Sequence, residues 1–511
     1  MAKALTPLFL LCSLLLCATL FYLQLQPLYA SSQSDQLILL DLTHSLTHSD
    51  SPNATIHHLL KTSSIRSAAR HHRRRRRRQQ RGQVSLPLSA GSDYTLSLTV
   101  GPPDSPTTVQ LYMDTGSDLV WFPCSPFECI LCEGKEIPSA SPSTPPPPPA
   151  GSHLVSCRSA ACAAAHSAIA SSSSSSSDLC AIAGCPLDAI ETASSCAAHH
   201  CPRFYYAYGD GSLVARLRHG PLSAGPLRHP DFIFACAHSA LAEPVGVAGF
   251  GRSGPLSLPS QLAALSPSLA ARFSYCLVSH SFRPDRLLRP SPLILGRPLP
   301  TSGPSEPDFR FVYTPLLPNP KHPYLYSVAL LALYVGPTRI PTRPDLSTVD
   351  WNGNGGMVVD SGTTFTMLPA ETHSNLTAEF DRQMVRAGFD RAVRTESETG
   401  LGPCYYWGSD RNASRRVPRL ALHFSGDASV ALPRRNYFMG FESGGKRVGC
   451  LMVMSGGDGE EEEEEEDYGG PAGTLGNFQQ QGFEVVYDLE GKRVGFARRQ
   501  CAALWDSLSR G

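Results

Sequence analysis

The stretch "LYMDTGSDLVWFPC" occupies residues 111–124, and "MVVDSGTTFTMLP" occupies residues 357–369. In each, an apolar run ends in an aspartate followed by a hydroxyl, a glycine and a second hydroxyl: Asp114-Thr115-Gly116-Ser117 and Asp360-Ser361-Gly362-Thr363. One such triplet is weak, because Asp, Ser, Thr and Gly are ordinary turn residues. The repetition carries the weight. A proline stands nine residues past each aspartate, at Pro123 and Pro369, and each motif is answered far downstream by a glycine-rich stretch, "GVAGFG" at 246–251 and "GTLGNF" at 473–478. The same elements in the same order imply two similar lobes, each ending a buried strand on one carboxylate.

Two carboxylates brought together cannot both ionise easily, so they share a proton over a broad acidic range. The ionised member can take a proton from a water held between them while the protonated member polarises a peptide carbonyl. This chemistry calls for no metal and no cofactor. Ser117 and Thr363 are placed to hydrogen-bond the carboxylates, Thr115 and Ser361 to lock the two loops against each other, and Gly116 and Gly362 to permit the tight turn.

The rest of the chain suits this reading. Its 511 residues exceed one hydrophobic core. Charged residues make up 17%, and 44 Pro with 42 Gly favour many short strands over long helices. Residues 1–30, with one Lys before an apolar run and small residues at Ala30-Ser31, read as a signal peptide in preference to a membrane anchor. Residues 31–85 show little core-forming pattern and include six consecutive arginines, Arg73 to Arg78. Behind a signal peptide they read as a removable basic prosegment, with mature protein beginning after the arginine cluster; a nucleic-acid patch does not fit that context. Without them and Lys3 the body holds 33 basic and 41 acidic side chains, near −8, which a basic prosegment would complement.

Fourteen of the sixteen cysteines follow the leader, nine of them between Cys124 and Cys201. Cys129 and Cys132 have a zinc-compatible spacing, but a secretory route favours disulfides. Spacing alone does not give their connectivity. The same region carries a proline run and seven serines, Ser171 to Ser177, and reads as a disulfide-pinned surface insert. The acidic run Glu460 to Glu466 reads as a solvated loop.

Both motifs resemble those of the pepsin-like aspartic proteases, and the cysteine-rich insert resembles the plant nepenthesin-like branch. The likeness extends from about Tyr94 to Cys501. It implies a mostly β, bilobed fold with the active cleft between the lobes: an N-terminal lobe at 86–305 and a C-terminal lobe at 306–511. It also implies Asp114 and Asp360 as the catalytic pair. The flap would be the hairpin at Tyr208-Gly209-Asp210-Gly211-Ser212, and Trp121 would support the flap tyrosine. A glycine-flanked turn between apolar strands suits a lid on its own terms. By the same resemblance Cys236 pairs with Cys501 and Cys404 with Cys450, leaving Cys276 unpaired.

The function expected is an acid endopeptidase acting on protein or peptide substrates, with no nucleic-acid partner, monomeric, and secreted to the extracellular space, cell wall or vacuole. The alternative is a catalytically silent binding or inhibitor protein on the same fold. Asn375 and Asn412 head glycosylation sequons in the mature part, and Asn53 heads a third in the prosegment.

Overall fold

In a computed structural model the described residues are 37–45, 55–75, 94–132, 145–166, 199–208, 211–241, 243–252, 254–265, 269, 272–280, 282, 289–297, 311–407, 416–456 and 470–510. The leader, the arginine run from residue 76 onward, Gly209, Asn53, Asn412, the serine run and Glu460 to Glu466 lie outside them.

The first elements among the described residues are β1 (Ile38–His44) and α1 (Ile56–Arg75), both within the span read as having little core-forming pattern. That reading is corrected. Ile38, Leu40, Leu42 and His44 alternate inward, the period of a half-buried strand. The three apolar side chains join the main core.

The N-terminal lobe follows with β2 (Tyr94–Val100), β3 (Thr107–Asp114), β4 (Val120–Ile130), β5 (Phe204–Tyr208), β6 (Gly211–Ala224), β7 (Leu227–Leu241), β8 (Gly246–Gly249), β9 (Arg272–Cys276) and β10 (Ser291–Leu295). The C-terminal lobe contains β11 (Val312–Pro315), β12 (Met357–Val359), β13 (Thr366–Leu368), α2 (Ala370–Arg386), α3 (Val393–Thr399), β14 (Cys404–Tyr406), β15 (Lys446–Leu451), β16 (Gly473–Leu475), β17 (Phe483–Asp488), β18 (Arg493–Arg498) and α4 (Cys501–Leu508).

One sheet runs across both lobes in the order β11-β18-β17-β9-β10-β1-β2-β3-β8-β4-β7-β6. The lobes join where β9 pairs antiparallel with β17, from Arg272 opposite Asp488 to Cys276 opposite Glu484. The seam is reinforced by Glu484, fully buried, whose carboxylate takes Arg297 at 2.8 Å and Arg499 at 3.0 Å. A buried carboxylate needs such partners. Strand β1 lies in the same sheet, antiparallel to β10 with Ile38 opposite Leu295 and Leu42 opposite Ser291.

The disulfides differ from expectation. Cys236 bonds to Cys124 rather than Cys501, because β4 and β7 run parallel with Phe122 beside Cys236. Cys276, expected to be unpaired, bonds to Cys501 at the start of α4. The tie from the first lobe to the C-terminus therefore exists, but the end of β9 makes it. Cys404 bonds to Cys450, its register partner on β15. Cys129 bonds to Cys132 and Cys162 to Cys201. His166 lies beside the last pair, but sulfurs bonded to each other are not available as metal ligands.

Candidate active site

Each aspartate motif leaves the end of a strand that runs parallel to its downstream glycine-rich stretch. Asp114 closes β3 opposite Gly249 on β8, and Val359 closes β12 opposite Leu475 on β16. The glycines are forced by proximity. A Cβ on Gly249 would stand 2.5 Å from the Leu119 nitrogen, and one on Gly476 would stand 2.4 Å from the Thr364 carbonyl oxygen. The stretches singled out in the sequence are thus the threads around which the two loops close.

Within the loops the bonding repeats. Gly116 donates its N–H to Asp114 Oδ1 at 2.9 Å, and the Ser117 hydroxyl donates to Oδ2 at 2.6 Å. Gly362 donates to Asp360 Oδ1 at 2.9 Å, and the Thr363 hydroxyl donates to Oδ2. Between the loops the bonding is reciprocal. Thr115 N–H donates to Ser361 Oγ at 3.0 Å, and Ser361 N–H donates to Thr115 Oγ1 at 2.9 Å. Each hydroxyl passes its own proton across, Thr115 to the Val359 carbonyl and Ser361 to the Met113 carbonyl. Gly362 is required because the loops approach so closely: a Cβ there would lie 2.4 Å from Asp114 Oδ1. Its φ is not left-handed, so a tight turn is not the reason.

Beneath the pair lies a buried polar web. Tyr275 donates to Gln480 and shares a 2.8 Å hydroxyl contact with Tyr487. Gln480 Nε2 donates to the Asp360 carbonyl at 3.1 Å. Burial pushes both tyrosine hydroxyls above their ordinary range, which keeps them neutral donors.

Helix α1 occupies the cleft above the two aspartates. Arg70 places Nη2 2.5 Å from Asp114 Oδ2 and Nε 3.4 Å from Asp360 Oδ2. One turn earlier, Arg66 Nη2 lies 3.9 Å from Glu243 Oε2. The helix touches the second lobe as well, where Ser67 Oγ accepts from Phe365 N–H and Ser64 Oγ donates to the Thr399 carbonyl.

The cleft wall on the first lobe includes Trp121, Leu119, Tyr206, Val247 and Glu243 around Asp114. Trp121, expected to support the flap tyrosine, is buried in this wall. Tyr208 ends β5 opposite Gly211 on β6, but its side chain, like Gly209, lies outside the described residues. Tyr206, two residues earlier and so on the same strand face, does line the cleft. Its hydroxyl donates to Asp118 Oδ1 at 3.2 Å. Burial, with a smaller contribution from the Asp114 charge, pushes the Asp118 carboxyl up to about 6.

Arg66, Arg70, Asp118, Tyr206 and Glu243 were all missed by sequence reading. The one available signal was the spacing of four between Arg66 and Arg70, which puts both on one helical face. Asn375 is exposed on α2. Among the described residues no helix is long and apolar enough to cross a membrane.

Two family models match the chain, described as xylanase inhibitor N-terminal over residues 94–296 and xylanase inhibitor C-terminal over residues 325–498. A probable aspartyl protease of Arabidopsis thaliana is 53% identical over 92% of this chain and 94% of its own length. The aspartic proteinase nepenthesin-1 of Nepenthes gracilis is 29% identical, with 90% of each chain covered. Among solved structures, edgp superposes with a TM-score of 0.53 at 18% identity, covering 81% of this chain and 93% of that one. Conglutin gamma, a basic 7S globulin from lupine seeds, gives 0.52 at 20% identity, covering 80% and 91%. At such identities these structures share the fold and nothing more is carried over.

Proposed function

Because the chain belongs to the plant pepsin-like aspartyl protease family, we propose that it is an acid endopeptidase made in a latent form. The observation that carries this reading is the pair of aspartates held by matched donors, with one guanidinium between them. Once Arg70 leaves, the two carboxylates share a proton and hold a water. The ionised one takes a proton from that water as it attacks the peptide carbonyl, and the protonated one donates toward the carbonyl oxygen. The tetrahedral intermediate then collapses, the amine leaves with a proton, and nothing stays bound to the enzyme.

Latency has two anchors in this reading. Helix α1 blocks the dyad, and β1 fills a place in the sheet. Acid loosens the first by protonating carboxylates that pair with arginine, whose own charge persists. The second involves His44 of β1, whose ring lies 4.1 Å from that of His280 and 4.9 Å from that of Tyr94. His280 otherwise faces Phe282 and Phe478, and its Nδ1 accepts the Phe282 N–H, as a neutral ring must. Burial holds His280 down to about 3, and burial together with His280 holds His44 well below its ordinary value. Both rings are neutral when β1 is seated, and His44 returns to the ordinary histidine range, near 6.5, once β1 leaves. The seat is therefore fully stable above that pH and weakens as pH falls toward 3. The disulfides suit an oxidising secretory compartment, and exposed Asn375 suits a glycan.

The alternative, a silent binding protein, draws on the xylanase-inhibitor description of the family models. One experiment separates the two. Full-length protein purified at neutral pH is acidified and given a peptide library with and without pepstatin, and its new N-terminus is sequenced. Pepstatin-sensitive cleavage together with loss of the segment carrying Arg70 supports the proposal. Acidified, folded protein without turnover favours the binder. His280→Phe should move activation to lower pH; an unchanged activation profile removes the histidine pair from the trigger.

A further inference from the structure

Glu243 lines the cleft and takes no part in the catalytic chemistry. Its Oε1 is fixed by the Val245 N–H at 2.9 Å, which turns Oε2 toward Arg66 at 3.9 Å. The Glu243 side chain is 5% exposed with α1 in place, and it shares the cavity wall with Trp121, Leu119 and Val247. A carboxylate set among apolar walls is costly to leave without a cation. A long basic side chain suits such a slot, because its methylene stem covers the apolar wall while its head meets the charge. Helix α1 supplies that cation in the latent form through Arg66.

We propose that Glu243 makes the enzyme selective for substrates carrying arginine or lysine within two residues of the scissile bond. This rests on the endopeptidase reading above. The register follows from geometry. Arg66 and Arg70 are one turn apart, about 6 Å along the helix axis. An extended peptide covers about that length in two residues. With the scissile bond at Asp114 and Asp360, where Arg70 now sits, a side chain up to two residues away reaches the place of Arg66. Asp118 is a poorer candidate for this role. Its carboxylate already accepts from the Tyr206 hydroxyl at 3.2 Å.

The test uses acid-activated full-length protein at about pH 5. The probes are fluorogenic peptides identical except for arginine, neutral isosteric citrulline or glutamate at each of the four positions flanking the cleaved bond. At one of those positions wild type should cleave the arginine peptide roughly tenfold or more faster in kcat/KM than the citrulline peptide, the size of one desolvated charge contact. The glutamate peptide should be slowest. In Glu243→Gln the arginine-to-citrulline ratio should fall to about one, since the amide oxygen can still accept from Val245 but carries no charge. Equal wild-type rates for arginine and citrulline at all four positions, or a preference that survives in Glu243→Gln, overturns the selectivity while leaving the endopeptidase standing. No cleavage of any peptide by wild type sinks the endopeptidase reading and this inference with it. The wild-type ratio decides alone should the variant fail to fold.

Discussion

The two aspartate loops make the same bonds and stand in different surroundings. Asp114 and Asp360 each take one glycine N–H and one hydroxyl. The second loop is backed by neutral amides: Asn477 Nδ2 donates to the Ser361 carbonyl at 2.9 Å, and Gln480 Nε2 donates to the Asp360 carbonyl. The first loop opens instead onto a wall of Trp121, Tyr206 and Glu243, with Asp118 beside it. Four residues past the aspartate, one loop carries Asp118 and the other Thr364. The dyad is thus built from repetition, which gives two carboxylates equal support. Charge and aromatic bulk are concentrated on one side, where helix α1 is met.

If the repetition is what matters for chemistry, the two aspartates are equally indispensable. Asp114→Asn and Asp360→Asn should each lower kcat/KM by about a thousandfold or more, because an amide keeps the shape but cannot share the proton. Peptide turnover after acid activation measures it, with the folded fraction checked by unfolding. A variant of one loop that retained substantial turnover would break the equivalence, and inhibition by a chelator would point to different chemistry.

Next in size is the lock between the loops. Thr115→Val and Ser361→Ala each strand an N–H that had crossed to the opposite lobe, and each removes a hydroxyl donor to a carbonyl of that lobe. A buried group left without its partner costs about 1–3 kcal/mol, so both variants should lose stability of that order in urea titrations. Thr115 also meets the Tyr487 hydroxyl at 3.4 Å, so its loss should be the larger. A cost confined to one of the two would show that the lock is not reciprocal.

How much of this was legible depended on range. The loops were, since a motif of four residues contains both the carboxylate and its donors. Their glycine-rich threads were as well, because close backbone approach can be met by glycine alone. Strand β1 was legible in principle through Ile38, Leu40 and Leu42, but the basic composition of the surrounding segment masked a short alternation. Helix α1 was not. Its buried face is Leu59, Leu60, Thr62, Ser63, Ser64, Arg66, Ser67, Arg70 and His71, mostly small or charged rather than apolar, so no hydrophobic period announces it. The partners of Arg66 and Arg70 lie in other elements and meet them only in the folded chain. Disulfide pairing was hidden for the same reason: Cys124 finds Cys236, and Cys276 finds Cys501, through strand neighbours that spacing does not reveal.

The smallest expected effect isolates the difference between the loops to one residue. Asp118 is half-buried beside Tyr206, and its carboxyl is pushed up to about 6, mainly by burial. In the unfolded chain it titrates near the ordinary carboxylate value. A carboxyl whose folded pKa is raised contributes its stability fully below the unfolded value and loses it as pH rises through the folded one. Wild type should therefore carry a penalty at pH 7 that is absent near pH 3.5. Asp118→Asn can still accept the Tyr206 hydroxyl but never charges, so it should be more stable than wild type at pH 7. The gain is on the order of 2 kcal/mol, after discounting about two pKa units for the solvent that reaches the site. Near pH 3.5 the two proteins should be nearly equal. Thr364, in the corresponding place in the second loop, has no charge to gain, and Thr364→Ser should give the same difference from wild type at both pH values. Urea unfolding of the two variants and wild type at the two pH values reads all of this. A wild-type minus Asp118→Asn difference that does not change with pH would mean that Asp118 carries no buried charge, and the electrostatic contrast between the loops would then rest on Glu243 alone.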